Sequence, residues 1–175
     1  MDRAKIYEIF YSADLKKIEP YVQQKFVQEN PDVIFIAYRC LSKLKRKKVL
    51  QKMYLNGADL NYTSERFRMP LLGLAVLNDD FEMISFLLRR GAQRSIFKYF
   101  RHPSYSNILS YVSGQNWWND ENPKKVRAYN LLYRYALKEE DRLAYLKALE
   151  DRKKADIIIK KYQRKYPQVF QKERD

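Results

Sequence analysis

Cysteine and histidine occur once each, as Cys40 and His102. A single thiol excludes an internal disulfide framework and agrees with a reducing compartment. One imidazole beside one thiol leaves too few ligands for a zinc site, which takes three or four, so no metal or other cofactor is expected. Glycine and proline are scarce too, at 4 and 6 of 175 residues, which argues against a β-rich, collagenous or low-complexity chain. No apolar run approaches the roughly 20 residues that cross a bilayer, so membrane insertion is not expected. The first residues, Met1-Asp2-Arg3-Ala4-Lys5, lead into an amphipathic stretch, not a secretory signal. Acid is also in short supply: 21 Asp and Glu stand against 35 Lys and Arg, a net charge of +14. These absences leave a basic, cytoplasmic protein of one domain or one short repeat array.

The inventory for catalysis is nearly empty. There is no Gly-rich phosphate loop, no Gly-x-Ser-x-Gly elbow and no His-Glu-x-x-His pair. The acid pairs Asp79-Asp80 and Glu139-Glu140-Asp141 fall at predicted helix starts or between helices, where they complement the positive helix N-terminus. Cys40 sits on an apolar helix face beside Ala37 and Leu41, the setting of an inert thiol, because a reactive one needs an exposed, electropositive site. No catalytic residue is assigned, and the chain is not expected to be an enzyme.

What the sequence does contain is 46% apolar residues and a recurrence. The segment from Val49 to Asp59 reappears from Met83 to Gln93, and Gly57 and Gly91, 34 residues apart, each close an apolar helical pattern with Gly-Ala. Glycine just past a helix end supplies the left-handed conformation that completes the last turn. Two such ends one period apart predict a solenoid.

Leu55-Asn56-Gly57-Ala58-Asp59-Leu60-Asn61 resembles the closing motif of ankyrin repeats. Ala75, Glu82-Met83-Ile84, Leu87-Leu88 and Gly91-Ala92 fall at that family's spacing for its first-helix alanine, second-helix apolar face and terminal turn. The family's Thr-Pro-Leu-His opening is replaced by Met69-Pro70-Leu71-Leu72-Gly73, with Gly73 in the histidine slot. Ser12-Ala13-Asp14-Leu15-Lys16-Lys17-Ile18 is similar to the bend between the family's two helices, and Val33 to Tyr38 opens a second unit after Asn30-Pro31. Farther on, Val126, Tyr129, Leu132 and Tyr133 recur at helical spacing, Leu143–Leu149 and Ile157–Ile159 suggest another helix pair, and Pro167 should end the last helix. The resemblance implies an all-α fold, a short solenoid of four to five ankyrin-like helix pairs in one domain, 1–175. Its clearest repeats are 31–63 and 64–97, and its atypical end units are 1–30 and 98–175. The abundance of Lys, Tyr, Ile and Asn and the eroded motif resemble small ankyrin-type proteins of large DNA viruses and intracellular bacteria. A host-protein modulator working in the host cytoplasm or nucleus would then be expected.

Positive charge is concentrated in two places. Lys43, Lys45, Arg46, Lys47, Lys48 and Lys52 fall in one stretch without an acid, and Arg152, Lys153, Lys154, Lys160, Lys161, Arg164 and Lys165 in a second, broken by Asp156. One such run reads as a solvated helix face. Two, with the net charge, form a field that attracts nucleic acid, an acidic protein or an anionic membrane surface. The resemblance tips this toward a protein with an acidic surface, since ankyrin arrays mostly bind proteins and a plain polyanion sensor has no need of such turns. It further implies that residues after Gly-Ala-Asp project as fingers: Tyr62, Thr63, Ser64, Glu65, Arg66 and Phe67 on one, Arg94, Ser95, Phe97 and Lys98 on the next. With the loop residues Trp117 and Trp118, the partner-binding set becomes Tyr62, Arg66, Phe67, Arg94, Phe97, Trp117 and Trp118. Exposed aromatics with arginine make protein-interface anchors, and the same chemistry stacks unpaired bases. An inhibitor, adaptor or host-protein modulator is the first expectation; an RNA- or ribosome-associated basic protein is the alternative.

Overall fold

Short apolar runs cut by glycine, proline and asparagine fold here as short helices. The computed structural model describes residues 3–165; between 141 and 165 it describes the side chains of Asp151, Lys154, Ile157, Lys160, Lys161 and Arg164. The chain is mostly helical, in the order α1 (Arg3–Tyr11), α2 (Leu15–Ile18), α3 (Gln24–Glu29), α4 (Val33–Cys40), α5 (Lys43–Leu55), α6 (Leu71–Leu77), α7 (Phe81–Arg89), α8 (Ile108–Gly114) and α9 (Pro123–Lys165). Single 3-10 turns cover Glu19–Val22, Ala92–Phe97 and Trp117–Asn119. Between α5 and α6 lies a strand pair that the sequence did not announce, β1 (Thr63–Ser64) antiparallel to β2 (Met69–Pro70). No helix of the described residues is long and apolar enough to cross a membrane.

Contacts divide the chain into two compact units, Met1–Ala136 and Leu137–Asp175. In the first, α4 is buried on every side from Val33 to Tyr38, as befits a helix that is apolar all round. In the same core cluster, Phe10, Leu50, Met53, Leu71, Leu72, Ile84, Leu87 and Phe100 are fully buried. Gly73 leaves space that the Phe100 ring fills: a Cβ there would meet that ring at 3.0 Å.

The turns between helices are set by two devices. Gly57 and Gly91 both adopt positive φ, +89° and +95°, ending α5 and α7 as the recurrence predicts. At the other end of the helix pairs, Ala13 (φ 51°) and Asp79 (φ 48°) take the left-handed position themselves. Each is followed by an aspartate that caps the next helix, Asp14 accepting from the Lys16 N–H at 2.9 Å and Asp80 from the Met83 N–H at 3.2 Å. Side-chain hydrogen bonds then join residues about one period apart. Asn56 donates to the Val22 carbonyl at 2.5 Å, Arg46 to the Asp80 carboxylate at 2.7 Å and Ser95 to the Asn61 side chain at 3.0 Å, each across 34 residues.

The helix pair drawn from Leu143–Leu149 and Ile157–Ile159 is corrected. Residues 123–165 form one helix of 43 residues, because neither glycine nor proline interrupts the sequence after Pro123 until Pro167. Pro167 itself lies outside the described residues.

Candidate functional site

The loop that carries Tyr62, Arg66 and Phe67 is folded inward. Phe67 stacks on the buried Phe35 of α4, with ring centroids 5.3 Å apart and planes 14° off parallel, and Tyr62 meets the same ring edge-on at 6.3 Å. The Arg39 guanidinium lies over the Phe67 ring at 5.5 Å. Arg66 donates to the Tyr7 hydroxyl of α1 at 3.0 Å, and its guanidinium covers the Tyr7 ring at 5.5 Å. Tyr62 and Phe67 are thus half-buried, and burial, then Asp32 and Glu65, push the Tyr62 hydroxyl pKa up. Expected as exposed anchors, these two rings instead close the side of the core. Of this loop, Glu65, Arg66 and Arg68 are the exposed side chains.

The second expected finger is a 3-10 turn, Ala92–Phe97. Arg94 is exposed and Phe97 is 38% exposed, whereas Ser95 is buried, donating to the Leu60 carbonyl at 3.3 Å and the Asn61 side chain at 3.0 Å. The two tryptophans separate. Trp117 is only 2% exposed and packs edge-on to Phe81 at 5.9 Å, so it is a core residue and is withdrawn as a partner anchor; Trp118 is 55% exposed.

The basic helix α5 is sorted in the same way. Lys45 donates to the Ala13 carbonyl at 2.9 Å, and Lys52 pairs with Glu19. Arg46 pairs with Asp80, donates to the Leu41 carbonyl at 3.2 Å and lies 4.3 Å over the Tyr38 ring. Arg46 is therefore withdrawn as a polyanion contact, since its charge is spent on a carboxylate that is itself 7% exposed. Lys43, Lys47 and Lys48 remain exposed on the same helix. Burial, followed by the Asp80 charge, pushes the Tyr38 hydroxyl up to about 12, so this ring stays neutral beside the ion pair. In the second unit Lys154, Lys160, Lys161 and Arg164 are exposed, while the side chains of Arg152, Lys153 and Lys165 lie outside the described residues.

His102 sits among rings, 4.9 Å from Tyr105 and 5.0 Å from Tyr111, and accepts the Ser104 N–H on Nδ1 at 3.1 Å. Cys40 is half-buried, and burial pushes its thiol pKa up, away from the nucleophilic thiolate. Among the described residues, no group of three or more His, Cys, Asp or Glu is placed to hold a metal ion.

Sequence reasoning missed a groove of about 530 Å³ in the first unit, lined from three helices. It brings Lys43 and Lys47 of α5 together with Arg89 of α7 and with Lys124 and Arg127 of α9. Spacing alone held the clue within each helix, since 43 and 47, or 124 and 127, share a helix face. That the three faces meet is a tertiary fact. Comparison with protein-family models, curated proteins and solved structures gives no match for this chain.

Proposed function

We propose that the chain is a non-catalytic binding module of ankyrin-like kind, whose partner is a protein with an acidic surface. The ankyrin-like reading is supported by the helix pairs α4–α5 and α6–α7, by the left-handed Gly57 and Gly91, and by hydrogen bonds that join positions 34 residues apart. Stacked repeats make such contacts because each unit meets only its neighbours.

The observation that carries the partner is the division of labour on α5. Lys45, Arg46 and Lys52 are used inside the molecule, while Lys43, Lys47 and Lys48 stay exposed with no ion pair among the described residues. Fold stability has no need of that second set, so its charge faces outward to a partner. Binding by occupancy suits a chain in which no catalytic constellation is proposed, as in an inhibitor, adaptor or host-protein modulator. A second reading, nucleic-acid binding, is favoured by one specific observation: Lys154, Lys160, Lys161 and Arg164 are exposed along one stretch of α9.

Affinity capture from lysate with and without nuclease separates the two. Capture of a defined acidic protein that survives nuclease is expected. A complex lost on nuclease treatment, with affinity falling steeply as salt rises, installs the second reading instead.

A further inference from the structure

We propose that the groove between α5, α7 and α9 is the docking site for an acidic, amphipathic peptide segment of a partner protein. The proposal rests on the reading of the chain as a protein-binding module and deepens it by naming the place and the chemistry.

The lining argues for it in three steps. Lys43, Lys47, Arg89, Lys124 and Arg127 are all exposed, and among the described residues none of them makes an ion pair. Helical spacing explains the convergence: Lys43 and Lys47 are one turn apart on α5, and Lys124 and Arg127 lie on one stripe of α9 with Ala128 and Leu131. Five cations against the two unpaired carboxylates Asp79 and Glu82 leave the lining net positive, and an entering negative charge would offset that excess.

The floor of the groove is partly apolar. Phe81, Ala128 and Leu131 supply apolar surface between the basic residues, with Phe81 and Leu131 half-buried and Ala128 buried. An occupant must therefore bring apolar side chains as well as negative charge. At about 530 Å³ the groove takes a few side chains, within the ~300–1,000 Å³ of ordinary ligand sites.

A nucleic-acid backbone suits this lining less well than a peptide does. Three carboxylates also line the groove, and only Asp80 is neutralised, by Arg46. Asp79 and Glu82 are exposed there. A nucleic-acid backbone carries a negative charge at every nucleotide and has no neutral or basic unit to set opposite these two carboxylates. A peptide places its carboxylates selectively, at one or both edges of a Leu or Phe face, and can set a neutral or basic residue opposite Asp79 and Glu82. Helix-in-groove docking works in this way, through anchors one turn apart.

The test uses the full chain and a fluorescein-labelled peptide of about 16 residues, with Leu on one helical face and Glu along its edges. Probes for comparison are the same residues in scrambled order and a single-stranded oligonucleotide of equal charge. Lys47→Glu with Arg127→Glu is expected to weaken peptide binding at least about tenfold in anisotropy titrations, while Lys160→Glu with Lys161→Glu, an equal charge change elsewhere, leaves it within about twofold. Glu82→Gln is expected to tighten it. Circular dichroism of each variant should match the parent, since all five side chains are exposed.

Equal losses from both double variants, or equal binding of the scrambled peptide, would show a general charge effect and overturn the groove. Tighter binding of the oligonucleotide, lost in Lys47→Glu with Arg127→Glu, would make it a nucleic-acid site. A nuclease-resistant partner held equally by the parent and that variant overturns the groove while leaving the protein-binding reading intact. Failure of the peptide together with loss of all capture on nuclease treatment overturns both.

Discussion

The loops that follow Gly57-Ala58 and Gly91-Ala92 begin alike and end differently. Both start from a left-handed glycine at the end of an apolar helix. The first then forms the β1–β2 pair and turns Tyr62 and Phe67 onto Phe35. The second tightens into the 3-10 turn Ala92–Phe97 and leaves Phe97 partly in solvent. Backbone chemistry at the glycine is therefore enough to stop a helix, and has no say over what comes next. The deciding factor is the neighbour. Phe35 offers the first loop a buried ring to stack on, whereas the second loop spends its polar groups on the first, through Ser95 to Asn61 and Lys98 to the Asn61 carbonyl. A similar contrast runs along α5, where Arg46 is held against the buried Asp80 while Lys43, Lys47 and Lys48 stay exposed.

The sharpest way to break this contrast is at Arg46. Arg46→Ala should destabilise the protein by about 3–5 kcal/mol in urea titrations, because it strands the buried Asp80 carboxylate and uncovers Tyr38. Lys47→Ala, one residue on and exposed, should stay within about 0.5 kcal/mol of the parent. Equal effects would mean that the sorting of α5 has no energetic meaning.

At the loops, Phe67→Ala should cost about 2 kcal/mol through its lost stacking on Phe35, and Phe97→Ala well under that. A larger loss at Phe97 would reverse the comparison.

The glycines test the shared beginning. Ala at either position should cost about 1–2 kcal/mol for the left-handed conformation alone. Gly57→Ala should be at most slightly the worse of the two, since its Cβ would meet Gln28 Nε2 at 3.0 Å, the free end of an exposed side chain that can swing away, while that of Gly91 has only Gln93 Oε1 at 4.0 Å. Melting temperatures of the two variants decide the order.

The smallest effect is expected from pH. Tyr38 has its pKa raised to about 12 by burial and the Asp80 charge, against 10.0 ordinarily. Between those values the unfolded chain releases the Tyr38 proton and the folded one keeps it, so stability should fall as pH rises above 10 and be unaffected below it. In Tyr38→Phe that component of the alkaline loss should vanish, which paired urea titrations at pH 8 and about 11 would reveal.

Much of the fold was legible because it depends on local chemistry. Glycine at a helix end, aspartate before one and apolar residues at helical spacing act within a few residues of themselves, and they place α4 to α7 correctly. From 124 to 166 there is neither glycine nor proline to end a helix, so α9 runs on unbroken, whereas the apolar runs at 143–149 and 157–159 suggest two helices. The candidate site was less legible. Trp117 and Trp118 are identical in type and adjacent in sequence, and packing into the core, with the Phe81 ring edge-on against it, sets Trp117 apart.

By itself, then, the sequence determined the helical class, the helix ends at Gly57 and Gly91 and the excess of positive charge, because composition and short-range backbone preference suffice for each. Only the tertiary structure decided which charges and rings are spent within the molecule. Burial and ion pairing depend on distance in space, and it is packing that sets Arg46 beside Asp80 and brings Lys47 and Arg127, 80 residues apart in sequence, to one groove.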